Sequence, residues 1–269
     1  MLETVNLDQK LSQETFKKQI PALQRRLYDL EKACWDNRIP SILLFEGWDA
    51  AGKGGAISTL TQRLDPRGFK LYSIQAPRTY EQNRPWLWRF WQKAPSHGEM
   101  VIFDHSWYYR PLVERVEKLL PPKAWRQAFQ DIAEFERMLA DDGCVIVKFF
   151  LHISKKEQKK RFRAIEKDTL EAWRVTAEDW RRHKKYGDYL EAVEETLELT
   201  ESEYAPWTIV EATSRWYARR KIFDVTIASL EKRLGGKAPP VERPGLDHTK
   251  DSELREMMES LEGGEEEGG

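Results

Sequence analysis

Cysteine is scarce in this 269-residue chain: only Cys34 and Cys144 occur, far apart in sequence. That excludes a disulfide framework and a CxxC metal site, and both thiols are expected buried and reduced in apolar surroundings. Long apolar runs are missing too. None approaches the roughly 18 residues a membrane span requires, and the first residues, "MLETVNLDQKLSQETF", hold no signal-peptide core. A soluble, cytoplasmic protein is the expectation. Neither sign of charge dominates, with 44 Lys plus Arg against 45 Asp plus Glu and a net charge of -1. The balance and the absence of a reading motif argue against a nucleic-acid binder. The five histidines show no zinc-ligand spacing, so no structural metal is expected.

What remains is 40% hydrophobic and 12% aromatic, enough for one sizeable core. Apolar runs at "IPSILLFE", "FKLYSIQA", "EMVIFDHS", "CVIVKFFLHI" and "PWTIVEA" read as five strands. Helical patterns separate them, at about 53–64, 80–93, 122–141, 155–163, 176–201 and 215–234. Residues 11–35 form a further amphipathic helix, with Phe16, Ile20, Leu23, Leu27 and Leu30 on one face. Strands alternating with helices predict an α/β fold: a doubly wound parallel sheet of about five strands with helices on both faces. The expected division is an N-terminal helical segment (1–38), a core (39–234) and an acidic, Gly- and Pro-rich tail (235–269) expected to be disordered.

The stretch "FEGWDAAGKGGAI" has phosphate-loop spacing, Gly47 followed by Gly52 and Lys53, between a strand and a helix. Backbone N–H groups at Gly47, Ala50, Ala51, Gly52, Gly54 and Gly55 are expected to crowd phosphate oxygens at the positive end of the helix. Lys53 supplies a point charge. The Ser or Thr that normally follows, and whose hydroxyl holds magnesium, is replaced by Gly54. Asp49 instead sits inside the loop, where a carboxylate beside phosphates is repelled unless a divalent cation lies between them. Asp104 ends the strand "MVIFDHS" at the edge that lines the ligand crevice. We therefore expect Asp49 and Asp104 to hold the metal, Mg²⁺ or Mn²⁺. The alternative for Asp104 is a helix cap before "SWYYRPLVERV".

Other cations are candidates by position. Arg78 follows the second strand, and Arg110 starts the next helical region. The run "KKEQKKRFRAIEK" is open to two readings, a solvated face or a lane for a polyanion. Trp86, Trp88 and Trp91 are expected to support the core rather than form a base-stacking platform.

In order and spacing, "FEGWDAAGKGG", "PRTYEQNRPWLWRFW", "FDHSWYYRPLVERVE", "KKEQKKRF" and "APWTIVEA…YARRKIF" resemble the second family of polyphosphate kinases. The likeness runs over about residues 11–234 and is nearest the branch acting as polyphosphate:AMP phosphotransferase. It implies a P-loop kinase-like core with a helical lid at about 154–200, and a magnesium-dependent, reversible transfer of phosphate from inorganic polyphosphate to AMP, ADP or GDP. It also implies an assembly of two or four copies. Matched residue by residue, it puts the metal on Asp49 and Asp104, phosphate handling on Lys53, and a catalytic lid arginine on Arg161. Two departures stand out: His105 follows the second aspartate where the family most often has arginine, and Ser214 and Arg215 replace an Asp-Lys pair. Histidine neutralises phosphate only when protonated. An ATP-dependent nucleoside monophosphate kinase of thymidylate-kinase type and a catalytically idle phosphate-loop protein are the rival readings.

Overall fold

A computed structural model describes residues 2–235. The five apolar runs form the strands β1 (Ser41–Gly47), β2 (Phe69–Ser73), β3 (Met100–Asp104), β4 (Val145–His152) and β5 (Trp207–Glu211). All pair in parallel, in the order β2-β3-β1-β4-β5. The register sets Phe45 opposite Asp104 and Gly47 opposite Leu151, which brings the carboxyl ends of β1, β3 and β4 to one level. From β1 the chain leaves toward β2 on one side, and from β3 toward β4 on the other. A crevice therefore opens between β1 and β3 at their carboxyl ends, the usual ligand position of an open α/β sheet.

The helices are α1 (Gln13–Asp36), α2 (Lys53–Thr61), α3 (Thr79–Gln82), α4 (Trp88–Trp91) and α5 (Pro122–Asp141). Further on come α6 (Lys155–Glu166), α7 (Ala177–Lys184), α8 (Tyr186–Leu199) and α9 (Arg215–Arg233). Ser12 caps α1 by accepting the Thr15 N–H at 3.0 Å, and the helix buries Phe16, Leu27 and Leu30. It lies along α9, which also packs on β4 and β5. On α5 a buried stripe of Phe129, Ile132, Phe135 and Leu139 follows the helical period. Among the described residues no helix is long and apolar enough to cross a membrane. The acidic tail expected from residue 235 lies, after that residue, outside the described residues.

Two helices expected to be continuous are broken. The segment 80–93 holds only the turns α3 and α4, because Pro85 lacks an N–H and drives Arg84 out of helical geometry. The segment 176–201 divides at Lys185 (φ -89°, ψ 18°), two residues before Gly187, a poor helix former. Arg110–Glu114 is a π-helical turn rather than the start of an α-helix. Conversely, α6 runs on to Glu166, three residues beyond its expected end.

Strand β4 also carries a cation through the core. The Lys148 ammonium donates to Glu136 Oε2 (2.8 Å), the Tyr108 hydroxyl (3.0 Å) and the Thr200 carbonyl (2.8 Å). Glu136 Oε1 accepts from Trp107 Nε1 (3.0 Å) and the Tyr108 hydroxyl (2.8 Å). Both charged side chains are fully buried. Burial pushes the Lys148 pKa down and the Glu136 pKa up, and each is opposed by its partner's charge. The network ties β4, α5, the turn after β3 and the end of α8 into one unit.

Candidate active site

The glycine loop folds as its residue types demand. Gly47 has φ +138°, and a Cβ there would stand 2.5 Å from the Leu151 carbonyl oxygen, so only glycine lets β1 leave the sheet beside β4. Ala50 occupies the left-handed region (φ 59°), as does Gly52 just before α2. Lys53, the first residue of α2, turns back so that its ammonium donates to the carbonyls of Gly47 (2.9 Å) and Trp48 (3.3 Å). At Gly54, where a hydroxyl residue is usual, a Cβ would meet nothing within 4 Å. Packing therefore leaves room for Ser or Thr, and the missing hydroxyl is a matter of chemistry.

Asp49, Lys53, Asp104, His105 and Arg161 line one cleft of about 760 Å³ with Ala50, Ala51, Gly52, Gly54 and Gly55. Asp104 Oδ1 is buried with no hydrogen-bond partner, so the side chain is not spent as a helix cap at that atom. A bare carboxylate oxygen in such a place is costly without a cation. Among the described residues no group of three or more His, Cys, Asp and Glu is arranged to hold a metal. Two carboxylates completed by phosphate oxygens and water are, however, a donor set that suits Mg²⁺.

His105 is held rather than loose. It adopts φ 58°, its backbone N–H donates to the Phe45 carbonyl (3.1 Å), and its Nδ1 lies 3.0 Å from Glu46 Oε2. Glu46 is buried and also accepts from the Ser106 hydroxyl (2.8 Å). The carboxylate fixes the imidazole orientation and leaves Nε2 as the ring nitrogen without a protein partner.

Arg161 sits at the loop but is fully engaged. Its guanidinium donates to the carbonyls of Ala50 (2.9 Å), Ala51 (3.1 Å), Ala212 (2.6 Å) and Thr213 (3.0 Å), and its Nε to Glu157 (3.0 Å). These five bonds use the whole fork of donors. In this arrangement Arg161 staples α6 to the phosphate loop and to the segment after β5, instead of presenting free charge to a phosphate. Gln158 adds a second staple, donating to the Asp49 carbonyl (3.2 Å) while its own oxygen lies 2.7 Å from His183 Nδ1.

Arg78 and Arg110 are not brought to this cleft. Arg78 is exposed. Arg110 lies over the Trp86 ring (4.9 Å) and lines a second cleft of about 570 Å³ with Arg84, Arg89, Ser106 and Tyr109. The tryptophans serve as support: Trp86 is half-buried and donates to Asp131 (2.8 Å), and Trp91 packs edge-on against Phe135. Of the basic run, Lys160 reaches the first cleft, whereas Lys155, Lys156 and Lys159 are exposed outside it. Residues assigned no role from sequence complete the cleft. Arg215 and Arg219, one helical turn apart on α9, enter it with no carboxylate at ion-pair distance, and Arg219 stands against the backbone at Gly55. Their i, i+4 spacing just after the fifth strand was the available signal.

A strand, glycine loop and helix at the switch point of a five-stranded parallel sheet, with a lysine curled into the loop, define an α/β protein of the phosphate-loop kinase class. The chain belongs to the polyphosphate kinase 2 family, whose model, described as "Polyphosphate kinase 2 (PPK2)", matches residues 10–237. It is 41% identical over 222 residues to a polyphosphate:AMP phosphotransferase of Pseudomonas aeruginosa, covering 82% of this chain and 45% of that protein. An AMP/ADP-polyphosphate phosphotransferase of Meiothermus ruber is 35% identical, with 79% of this chain and 80% of that protein covered. The crystal structure of polyphosphate kinase 2 from Arthrobacter aurescens superimposes with a TM-score of 0.85 at 28% identity, covering 95% of this chain and 93% of that one. The chain thus spans about half the length of some curated relatives and most of others.

Proposed function

We propose that this chain is a polyphosphate-dependent nucleotide kinase that moves phosphate from inorganic polyphosphate to AMP, reversibly and with Mg²⁺. The observation that carries the reading is the single cleft in which a phosphate loop meets a row of cations: Lys160, Arg174, Arg215 and Arg219. A polyanion needs such a row along its length, and a small donor does not.

Asp49 and Asp104 would hold the metal, and the unpartnered, buried Oδ1 of Asp104 fits that use. When bound, the ion supplies positive charge between the two acids and the phosphates. The remaining work falls to the chain itself. The backbone N–H groups of the loop and the start of α2 bind phosphate oxygens, aided by the helix dipole. Lys53 adds charge at the loop, and Arg161 and Gln158 fix the loop's shape so that its donors are positioned before substrate arrives. Arg215, Arg219, Lys160 and Arg174 receive the polymer. Arg84, Arg89 and Arg110 in the second cleft receive the nucleotide phosphate, on the other side of Asp104 and His105. The acceptor oxygen is already anionic, so no strong general base is required. Helices α6 to α8 exclude water, which would otherwise divert phosphate to hydrolysis.

Purified protein given Mg²⁺, polyphosphate and AMP is expected to form ADP without ATP. Parallel reactions with ADP, GMP and GDP give the acceptor range. Formation of ADP only when ATP is the donor would instead make it an ordinary monophosphate kinase, and no transfer from either donor would leave a binding protein.

A further inference from the structure

Beneath the phosphate loop lies a small pocket lined by Glu46, Asp49, His105, Tyr109, Arg182 and Tyr189. One cation faces Asp49 there: Arg182 Nη1 stands 3.9 Å from Asp49 Oδ2, and among the described residues Asp49 has no other ion-pair partner. The arginine comes from α7, whose Glu178 accepts from Arg182 Nε at 3.2 Å and also pairs with Arg181. Helices α7 and α8 are in turn fixed to Glu117, which accepts from Arg181, from Lys185 (2.8 Å) and from the Tyr189 hydroxyl (3.0 Å). Burial pulls the Arg182 pKa down, but the charge of Asp49 and its neighbours outweighs it and raises the pKa above the ordinary value. Both side chains are about three-quarters shielded from solvent, so their interaction is only partly screened.

We propose that Arg182 is a positioning residue that competes with the divalent cation for Asp49, coupling the placement of α7 to occupancy of the site. This rests on the metal role proposed for Asp49. A cation seated on Asp49 meets the guanidinium as a like charge, and the two cannot share the carboxylate at this distance without mutual repulsion. Arg182 therefore turns away when the cation binds, and because it rides on α7 the helix adjusts with it. The loop acid is kept neutralised throughout, first by the lid and then by the ion.

The test is metal binding itself, read from the free Mn²⁺ signal in electron paramagnetic resonance with no nucleotide or polyphosphate present. Arg182→Gln is expected to bind Mn²⁺ about tenfold more tightly than the parent. Arg182→Lys, which keeps the charge, stays near the parent value. Unchanged or weaker binding by Arg182→Gln overturns the proposal. If that variant does not fold, Glu178→Gln decides. It frees Arg182 for Asp49, so weaker Mn²⁺ binding supports the competition, and unchanged or tighter binding overturns it. Asp49→Asn separates the two levels. Full Mn²⁺ affinity in that variant removes the metal role, whereas lost affinity there with unchanged affinity in Arg182→Gln removes only the competition.

Discussion

Asp104→Asn will lower polyphosphate-dependent phosphorylation by about 10³-fold or more, and the variant will unfold no more easily than the parent. The two halves of this expectation have one cause. Asp104 Oδ1 is buried without a hydrogen-bond partner, so its charge contributes nothing to the fold that the structure shows. An amide there loses the carboxylate that a metal requires, yet removes an unpaired buried oxygen whose desolvation costs on the order of 1–3 kcal/mol. Stability equal to the parent's or higher is therefore expected, measured by urea denaturation alongside the activity assay. Asp49→Asn is expected to lose activity to a similar extent, with the Arg182 pair as its only lost ionic contact. Near-normal turnover by either variant would remove that residue from the metal site.

Lys148→Met gives the largest expected change in stability, a loss of about 3–5 kcal/mol. The substitution strands the Glu136 carboxylate in the core and takes a donor from the Thr200 carbonyl and the Tyr108 hydroxyl. For a protein of this size that is a fall of roughly 10 °C in melting temperature. Removing the second charge as well, in Lys148→Met with Glu136→Leu, is expected to restore part of the loss, since two desolvated ions are replaced by packing. Recovery will be incomplete because Trp107 Nε1 and the Tyr108 hydroxyl then lack their acceptor. Chemical denaturation of the two single variants and the double variant checks this. A double variant as unstable as the sum of the singles would show that the buried pair is not coupled.

The strands were legible because a parallel sheet buried on both faces needs unbroken apolar runs, and five such runs stand in the sequence. The helix breaks were less so. Pro85 forbids helix at Arg84, a local rule that the tryptophan spacing of 86, 88 and 91 obscured. The division at Lys185 comes from a single residue's backbone angles and carries only Gly187 as a clue. At the site, the loop residues and Asp104 could be placed together because strand ends in a doubly wound sheet share one edge. Partner choice could not be read the same way. Arg161 and Arg182 are both lid arginines, yet one is saturated by carbonyls and the other faces Asp49. Residue type fixes the number of donors but not what the tertiary fold sets before them. Lys148 shows the same limit, as its acceptor Glu136 lies on the preceding helix and nothing in the strand announces it.

Crystals grown with Mn²⁺, nucleotide and a short polyphosphate would locate the metal by anomalous scattering. The account predicts a peak within coordination distance, about 2.1–2.2 Å, of carboxylate oxygens from both Asp49 and Asp104, with Arg182 turned away from the loop. A peak that touches neither acid while ligand phosphates fill the cleft would contradict it.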